Sequence, residues 1–245
     1  MFFRKRSSGS CLLQHFIVAA ALVLAAATGQ PSADAAEGGV NIPAPAFDLP
    51  QTPDSKLQTA VLAGGCFWGV QAVFQHIKGV ESAISGYSGG DQATAHYETV
   101  SSGRTGHAES VKIVFDPRII TYGQILRIFF AVAHDPTQRD RQGPDVGTQY
   151  RSAIFSGDDS QSAVARTYIA QLDQAHAFSQ SIATRIEPLK AFYPAERYHQ
   201  DYLVNHPNNP YIVFNDQPKL EALKRLFPEF YRAEPKLVAA QPGPL

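Results

Sequence analysis

The chain has 245 residues, a formal net charge of −1 and a composition that is 44% hydrophobic and 18% charged. That length suits one sizeable domain with a buried core, and the near-neutral charge argues against nucleic acid as a partner. Two cysteines in all, Cys11 and Cys66, exclude a disulfide-rich scaffold.

The chain opens with a basic stretch, MFFRKRSSGS, followed by FIVAAALVLAAA, an apolar run too short to span a bilayer comfortably. Ala33-Asp34-Ala35 supplies the small-x-small pattern at which signal peptidases cut. Residues 1–35 therefore read as a secretory signal peptide. This predicts an exported protein, in a bacterium a periplasmic one, without stable membrane association after cleavage. A retained anchor is the competing reading, disfavoured because Gly29 and Pro31 follow the apolar run so closely. Cys11 precedes that run, so cleavage leaves Cys66 as the lone cysteine. Residues 36–55 and 231–245 are rich in proline, glycine and alanine and are expected to be flexible linkers, leaving 56–230 as one domain.

Within that domain, TAVLAGG (59–65) reads as a short buried strand. FWGVQAVFQHI (67–77) places Val70, Val73, Phe74 and Ile77 at helical spacing. HAESVKIVFDP (107–117) alternates like a half-buried strand and ends at Pro117. TYGQILRIFFAVAH (121–134) opens with Thr121 and Gln124 in capping-box spacing. YRSAIF (150–155) predicts a strand, SQSAVARTYIAQLDQAHAF (160–178) an amphipathic helix and SIATRIEPL (181–189) a last strand. Mixed strands and helices without a regular βαβ repeat favour the α+β class: a single two-layer domain with a mixed sheet and packed helices.

Cys66 stands between Gly64-Gly65 and Phe67-Trp68, where strand gives way to helix. A thiolate in the first turn of a helix meets free backbone N–H groups, so its pKa is expected below the usual value of about 8.5. The alternative is an inert buried thiol; the glycine pair and adjacent aromatics favour a reactive one. In the strand at 107–117, Glu109 shares parity with Val111, Ile113 and Phe115. A carboxyl desolvated on that face has a raised pKa and can serve as a general acid; a glutamate at the strand end with its head in water is the other reading. Two long polar loops carry Tyr97, and Asp145 with Tyr150. His96, His107 and His134 lack metal-ligand spacing, and there is no Walker, Rossmann or GxSxG motif.

GGCFWG, YSGG, HYETVSSGRTGHAE, FFAVAHDPTQ, RQGPDVGTQYRSAIF and YHQDYL, in this order from about residue 58 to 228, together resemble the A-type peptide methionine sulfoxide reductases. The resemblance implies a ferredoxin-like core and reduction of the S epimer of methionine sulfoxide, free or in peptides, with no metal or organic cofactor. It implies that Cys66 attacks the sulfoxide sulfur and becomes a sulfenic acid, that Glu109 protonates the oxygen, and that Tyr97 and Tyr150 hydrogen-bond it. Phe67 and Trp68 would hold the S-methyl group. Asp145 would contact the substrate backbone, with His199 a lesser candidate beside it.

Many relatives resolve the sulfenic acid with further cysteines near the C-terminus, and this chain has none after Cys66. The expectation is a one-cysteine enzyme, monomeric, regenerated by an external thiol such as a thioredoxin-like protein. Asp140 replaces the asparagine common before RQG, a change expected to act locally. Two other classes compete: a thiol hydrolase or peroxidase using His107 or His199 as base, and a non-enzymatic module that captures methionine sulfoxide between Phe67 and Trp68.

Overall fold

The computed structural model describes residues 38–238, so the signal-peptide reading of 1–35 lies outside the described residues. A six-stranded sheet has the order β7-β6-β1-β3-β2-β8. Its strands are β1 (Gln58–Gly64), β2 (Val80–Ser88), β3 (Ala108–Phe115), β6 (Ser152–Ser156), β7 (Arg185–Pro188) and β8 (Tyr193–Pro194). Among the described residues the only parallel pair is β6 with β7; β1 is antiparallel to both β3 and β6, and β2 to both β3 and β8. Helix α1 (Phe67–Gln75) links β1 to β2, and α3 (Tyr122–Ile128) lies between β3 and β6. The inner order β6-β1-β3-β2 with those two helices is the ferredoxin-like arrangement. The chain is thus α+β, as expected.

Alternation along β3 divides its side chains between the two faces of the sheet. Val111, Ile113 and Phe115 join the main core with Val70, Val73 and Phe74 of α1 and Ile125 and Ile128 of α3. The opposite face carries the smaller cluster of Val61, Ala63, Ala108, Ala153 and Phe155, covered by Leu189 and Phe192. Glu109 points the same way as the main core. The capping box at Thr121 forms as the spacing predicts, its side chain accepting from the Gln124 amide while Gln124 returns to the Thr121 amide. The expected 14-residue run does not continue as one helix; after Ile128 it widens into a π turn, Phe129–Ala133.

Strand β2 escapes sequence reading because Ser82, Ser85 and Ser88 interrupt its apolar pattern, yet all three are buried in the sheet. The same holds for α4 (Gln217–Leu226), whose Ala222 and Leu223 face the core. The long loop after β2 contains a short helix, α2 (Tyr97–Val100). The second loop forms a small hairpin of β4 (Arg141–Gln142) and β5 (Asp145–Val146). Asp140, before that hairpin, adopts a left-handed φ of 50° and accepts from Arg185 at 2.8 Å.

Both expected linkers are anchored where they are described. Ile42 is buried, the Tyr168 hydroxyl donates to the Pro43 carbonyl, and Asp48 accepts from the Gly123 amide at 2.8 Å. Residues 231–238 run beside α1: the Arg232 amide donates to the His76 carbonyl, the Lys236 amide to Gln75, and the Val238 amide to Asp201. A proline-rich composition limits internal hydrogen bonding, but these segments satisfy their backbones against the domain instead. Among the described residues no helix is long and apolar enough to cross a membrane.

Candidate active site

Cys66 is the N-cap residue of α1 and is only 9% exposed. The two preceding glycines explain how it gets there. Gly65 adopts φ +89°, and a Cβ at that position would lie 2.5 Å from Gln142. The Gln142 side chain is itself locked, accepting from the Asp135 amide and donating to its carbonyl. One turn into α1, Gly69 lets the buried Asp216–Lys219 ion pair approach the helix, since a Cβ there would meet Asp216 Oδ1 at 2.0 Å. Cys66 opens onto a cavity of about 270 Å³ whose walls include Gln142, Tyr211, Phe214 and Lys219.

Glu109 is 3% exposed and accepts the Phe67 amide at 3.0 Å. Burial raises its pKa to about 8, against the opposing effect of that amide, so the carboxyl holds a proton near neutrality. This agrees with the expectation from strand parity. The thiol departs from expectation. Burial pushes the Cys66 pKa well above the ordinary thiol value, and Glu109, ionised in the range where the thiol would titrate, raises it further together with Asp216 and Asp145; the Trp68 amide alone opposes them. A single helix-end amide does not offset desolvation together with three nearby acids. Reactivity therefore does not come from a resting thiolate.

Tyr97 begins α2, and Tyr150 ends a 3₁₀ turn, Thr148–Tyr150. Burial raises both phenol pKa values, and the charge of Glu109 is the next cause for each, with Cys66 and Asp145 also contributing. The two hydroxyls are thus protonated donors beside the same acid and thiol. Tyr150 is steadied by its neighbour Arg151, which is bound to Glu187 and to the Gly106 and Thr148 carbonyls.

Trp68 is half-buried and stacks on Tyr202 with ring centroids 3.7 Å apart. Its indole N–H donates to His199 Nδ1 at 3.1 Å. The His199 ring also packs on Phe67 at 5.0 Å and Tyr97 at 4.5 Å. Asp145 accepts a short hydrogen bond from the Tyr211 hydroxyl at 2.5 Å, and burial raises its pKa. Tyr211 stands edge-on to Trp68. Phe67, Trp68, Tyr97, Glu109, Asp145, Tyr150 and His199 therefore all converge near Cys66. Tyr211 and the Asp216–Lys219 pair also belong to this site and carried no local sequence signal, while Gln142 lay within the RQGPDVG motif without being singled out.

The YHQDYL segment serves mostly to hold α1. Gln200 binds Gln71 and the Ser85 backbone, and Asp201 accepts from Gln75 at 2.7 Å. Those bonds satisfy the buried amides of a helix enclosed on nearly every side.

Neither proposed histidine base suits a hydrolase. With Nδ1 accepting from Trp68, neutral His199 bears its proton on Nε2 and presents no free lone pair; burial lowers its pKa. His107 accepts from the Gly90 amide with Nδ1 and faces the Asp91 carbonyl with Nε2. His134 is buried against Phe129 and Ser152 with a pKa lowered to about 3 by desolvation. Among the described residues no group of three or more His, Cys, Asp or Glu side chains is arranged to hold a metal ion.

The fold and site define a thiol-centred α+β protein with a protonated carboxyl and two phenols beside its cysteine. Residues 58–230 match the family described as peptide methionine sulfoxide reductase. The chain is 59% identical over 181 residues to peptide methionine sulfoxide reductase MsrA 2 of Mesorhizobium japonicum, covering 74% of this chain and 93% of that protein. It is 48% identical over 195 residues to MsrA 2 of Synechocystis, covering 79% and 91%. Among solved structures it resembles reduced Mxr1 of Saccharomyces cerevisiae at 33% identity and a TM-score of 0.57, over 65% of this chain and 91% of that one. Methionine sulfoxide reductase A of Corynebacterium diphtheriae matches at 34% identity and a TM-score of 0.54, over 72% and 90%. The chain belongs to the peptide methionine sulfoxide reductase family, whose members are oxidoreductases acting on a sulfoxide.

Proposed function

We propose that this protein reduces the S epimer of methionine sulfoxide, free or within peptides, by attack of Cys66 on the sulfoxide sulfur. The carrying observation is the Glu109 carboxyl, kept protonated by burial and fastened to the amide of the residue that follows Cys66. Sulfur gains a bond to Cys66 as the sulfoxide oxygen takes up a proton from Glu109, and the Tyr97 and Tyr150 hydroxyls donate to that oxygen as charge builds on it. The oxygen ends on Cys66 as a sulfenic acid and methionine leaves. Because the resting thiol is protonated, its proton must leave as the new bond forms, which makes proton movement part of the attack. Phe67 and Trp68 supply an apolar wall for the S-methyl group; Asp145 contacts the substrate backbone, with His199 a lesser candidate beside it.

Regeneration draws on an external thiol. Two equivalents of thiol convert the sulfenic acid to thiol and water and leave as a disulfide; a thioredoxin-like protein fits this chemistry, since no second cysteine follows Cys66. The protein works as a monomer in protein repair under oxidative stress. The basic and apolar N-terminal segment with its small-residue cleavage pattern supports export to the periplasm. Single-turnover reduction of separate S and R sulfoxide peptides by the pre-reduced protein tests the central reading. About one methionine per enzyme is expected with S, none with R and none with Cys66→Ser; no product from either epimer would overturn it.

A further inference from the structure

We propose that Glu196 is a positioning residue for sulfoxide reduction: its carboxylate braces Tyr97 against Tyr87, the cross-strand neighbour of Glu109, and so sets the spacing between the acid and the phenol. The inference rests on the reductase reading above. One carboxylate oxygen, Oε1, accepts the Tyr97 amide at 2.9 Å, and Oε2 accepts the Tyr87 hydroxyl at 2.8 Å. Tyr87 is fully buried in β2 and sits directly opposite Glu109 in the β2–β3 register. Three links therefore run from the acid to the phenol: the strand pair Glu109–Tyr87, the bond Tyr87–Glu196 and the bond Glu196–Tyr97.

Local structure explains why such a brace is needed. Tyr97 opens a four-residue helix whose N-cap, His96, provides no side-chain capping bond. The first amide of that helix has no partner within it, and Glu196 supplies one from 99 residues away in sequence. The same segment also holds the Tyr97 ring, because Glu196 precedes the 3₁₀ turn Arg197–His199 and the His199 ring packs on Tyr97 at 4.5 Å. Backbone and ring of Tyr97 are thus gripped by residues three apart. Glu196 itself has its pKa lowered: burial works against ionisation, but the hydrogen bonds from the Tyr97 amide, its own amide and the Tyr87 hydroxyl, with His199 nearby, outweigh it, so an ionised carboxylate receives both tyrosine donors. A phenol that donates to a developing oxyanion must be placed within a few tenths of an ångström, and its anchoring residues share in that placement.

Single-turnover methionine formation is measured for wild type, Glu196→Ala, Glu196→Gln, Tyr97→Phe and the double variant Glu196→Ala/Tyr97→Phe, with thermal unfolding in parallel. Glu196→Ala is expected to lower the saturating rate by about ten- to a hundredfold while leaving the half-saturating substrate concentration within about twofold. Glu196→Gln keeps an oxygen for the Tyr97 amide and an N–H that the Tyr87 oxygen can accept, and should stay within about threefold of wild type. In the Tyr97→Phe background, Glu196→Ala should cost less than about twofold more, because the group it places is already gone. If Glu196→Ala does not fold, Tyr87→Phe carries the test, slowing the wild type but not the Tyr97→Phe variant. Equal fold losses with and without the Tyr97 hydroxyl, or a loss confined to half-saturation, would overturn the proposal while leaving the reductase intact. Absence of methionine formation by the wild type would instead remove the reading on which it rests.

Discussion

The Phe67 amide donates to the Glu109 carboxyl at 3.0 Å, tying the residue after Cys66 to a carboxyl 42 positions further along. One bond thus joins the first turn of α1 to the start of β3 and holds the Glu109 carboxyl beside the residue that follows the thiol. The consequences divide between chemistry and stability.

Glu109→Gln keeps an acceptor for the Phe67 amide but carries no transferable proton. The single-turnover rate is expected to fall by about 10²- to 10⁴-fold with little change in substrate affinity, measured by rapid-quench methionine formation. A loss under about tenfold would move the proton source elsewhere.

The same residue makes stability depend on pH. Its pKa rises from 4.5 to about 8 on folding, so the folded state holds a proton that the unfolded chain releases. This linkage stabilises the fold fully below the unfolded value and is lost as pH rises towards the folded one. Glu109→Gln is therefore expected to be more stable than wild type by on the order of 3 kcal/mol near pH 7 and indistinguishable near pH 4, in urea titrations at the two pH values. Activity should decline as pH climbs through about 8, with Glu109 ionising.

Trp68 is the single tryptophan of the chain, so its fluorescence reports the site directly. His199→Phe preserves an aromatic ring but removes the acceptor of the indole N–H. We expect a shifted emission maximum and a raised half-saturating substrate concentration, by about 1 kcal/mol of binding, with the saturating rate less affected. An unchanged spectrum would show that the hydrogen bond does not hold the indole.

Gly69→Ala would bring a Cβ to within 2.0 Å of Asp216 Oδ1 and 2.8 Å of Lys219 Nζ, both buried. The variant should lose about 1–3 kcal/mol in thermal or urea unfolding, more than an exposed helical Gly→Ala, which stabilises.

Ending the chain at Pro235 removes the Lys236–Glu81 ion pair and the amide bonds of Lys236 to Gln75 and of Val238 to Asp201. A loss of about 1–2 kcal/mol is expected, where an unanchored tail would cost nothing.

The sequence by itself singled out Cys66, the helix that follows it, the capping box at Thr121 and the face on which Glu109 lies. Each follows from a local period or a spacing of a few residues, and local periods are written into the chain. The motifs also placed the two tyrosines in the site, though not their surroundings. Tertiary structure alone decided the direction of the Cys66 pKa, because desolvation and the charges of Asp216 and Asp145 come from segments far along the chain. It likewise decided that His199 accepts from Trp68 across 131 positions, that Glu196 reaches Tyr97, and that both proline-rich ends are anchored. A side chain's type and spacing fix what it can donate or accept; which partner it meets, and how much water surrounds them, is set only when distant segments pack together.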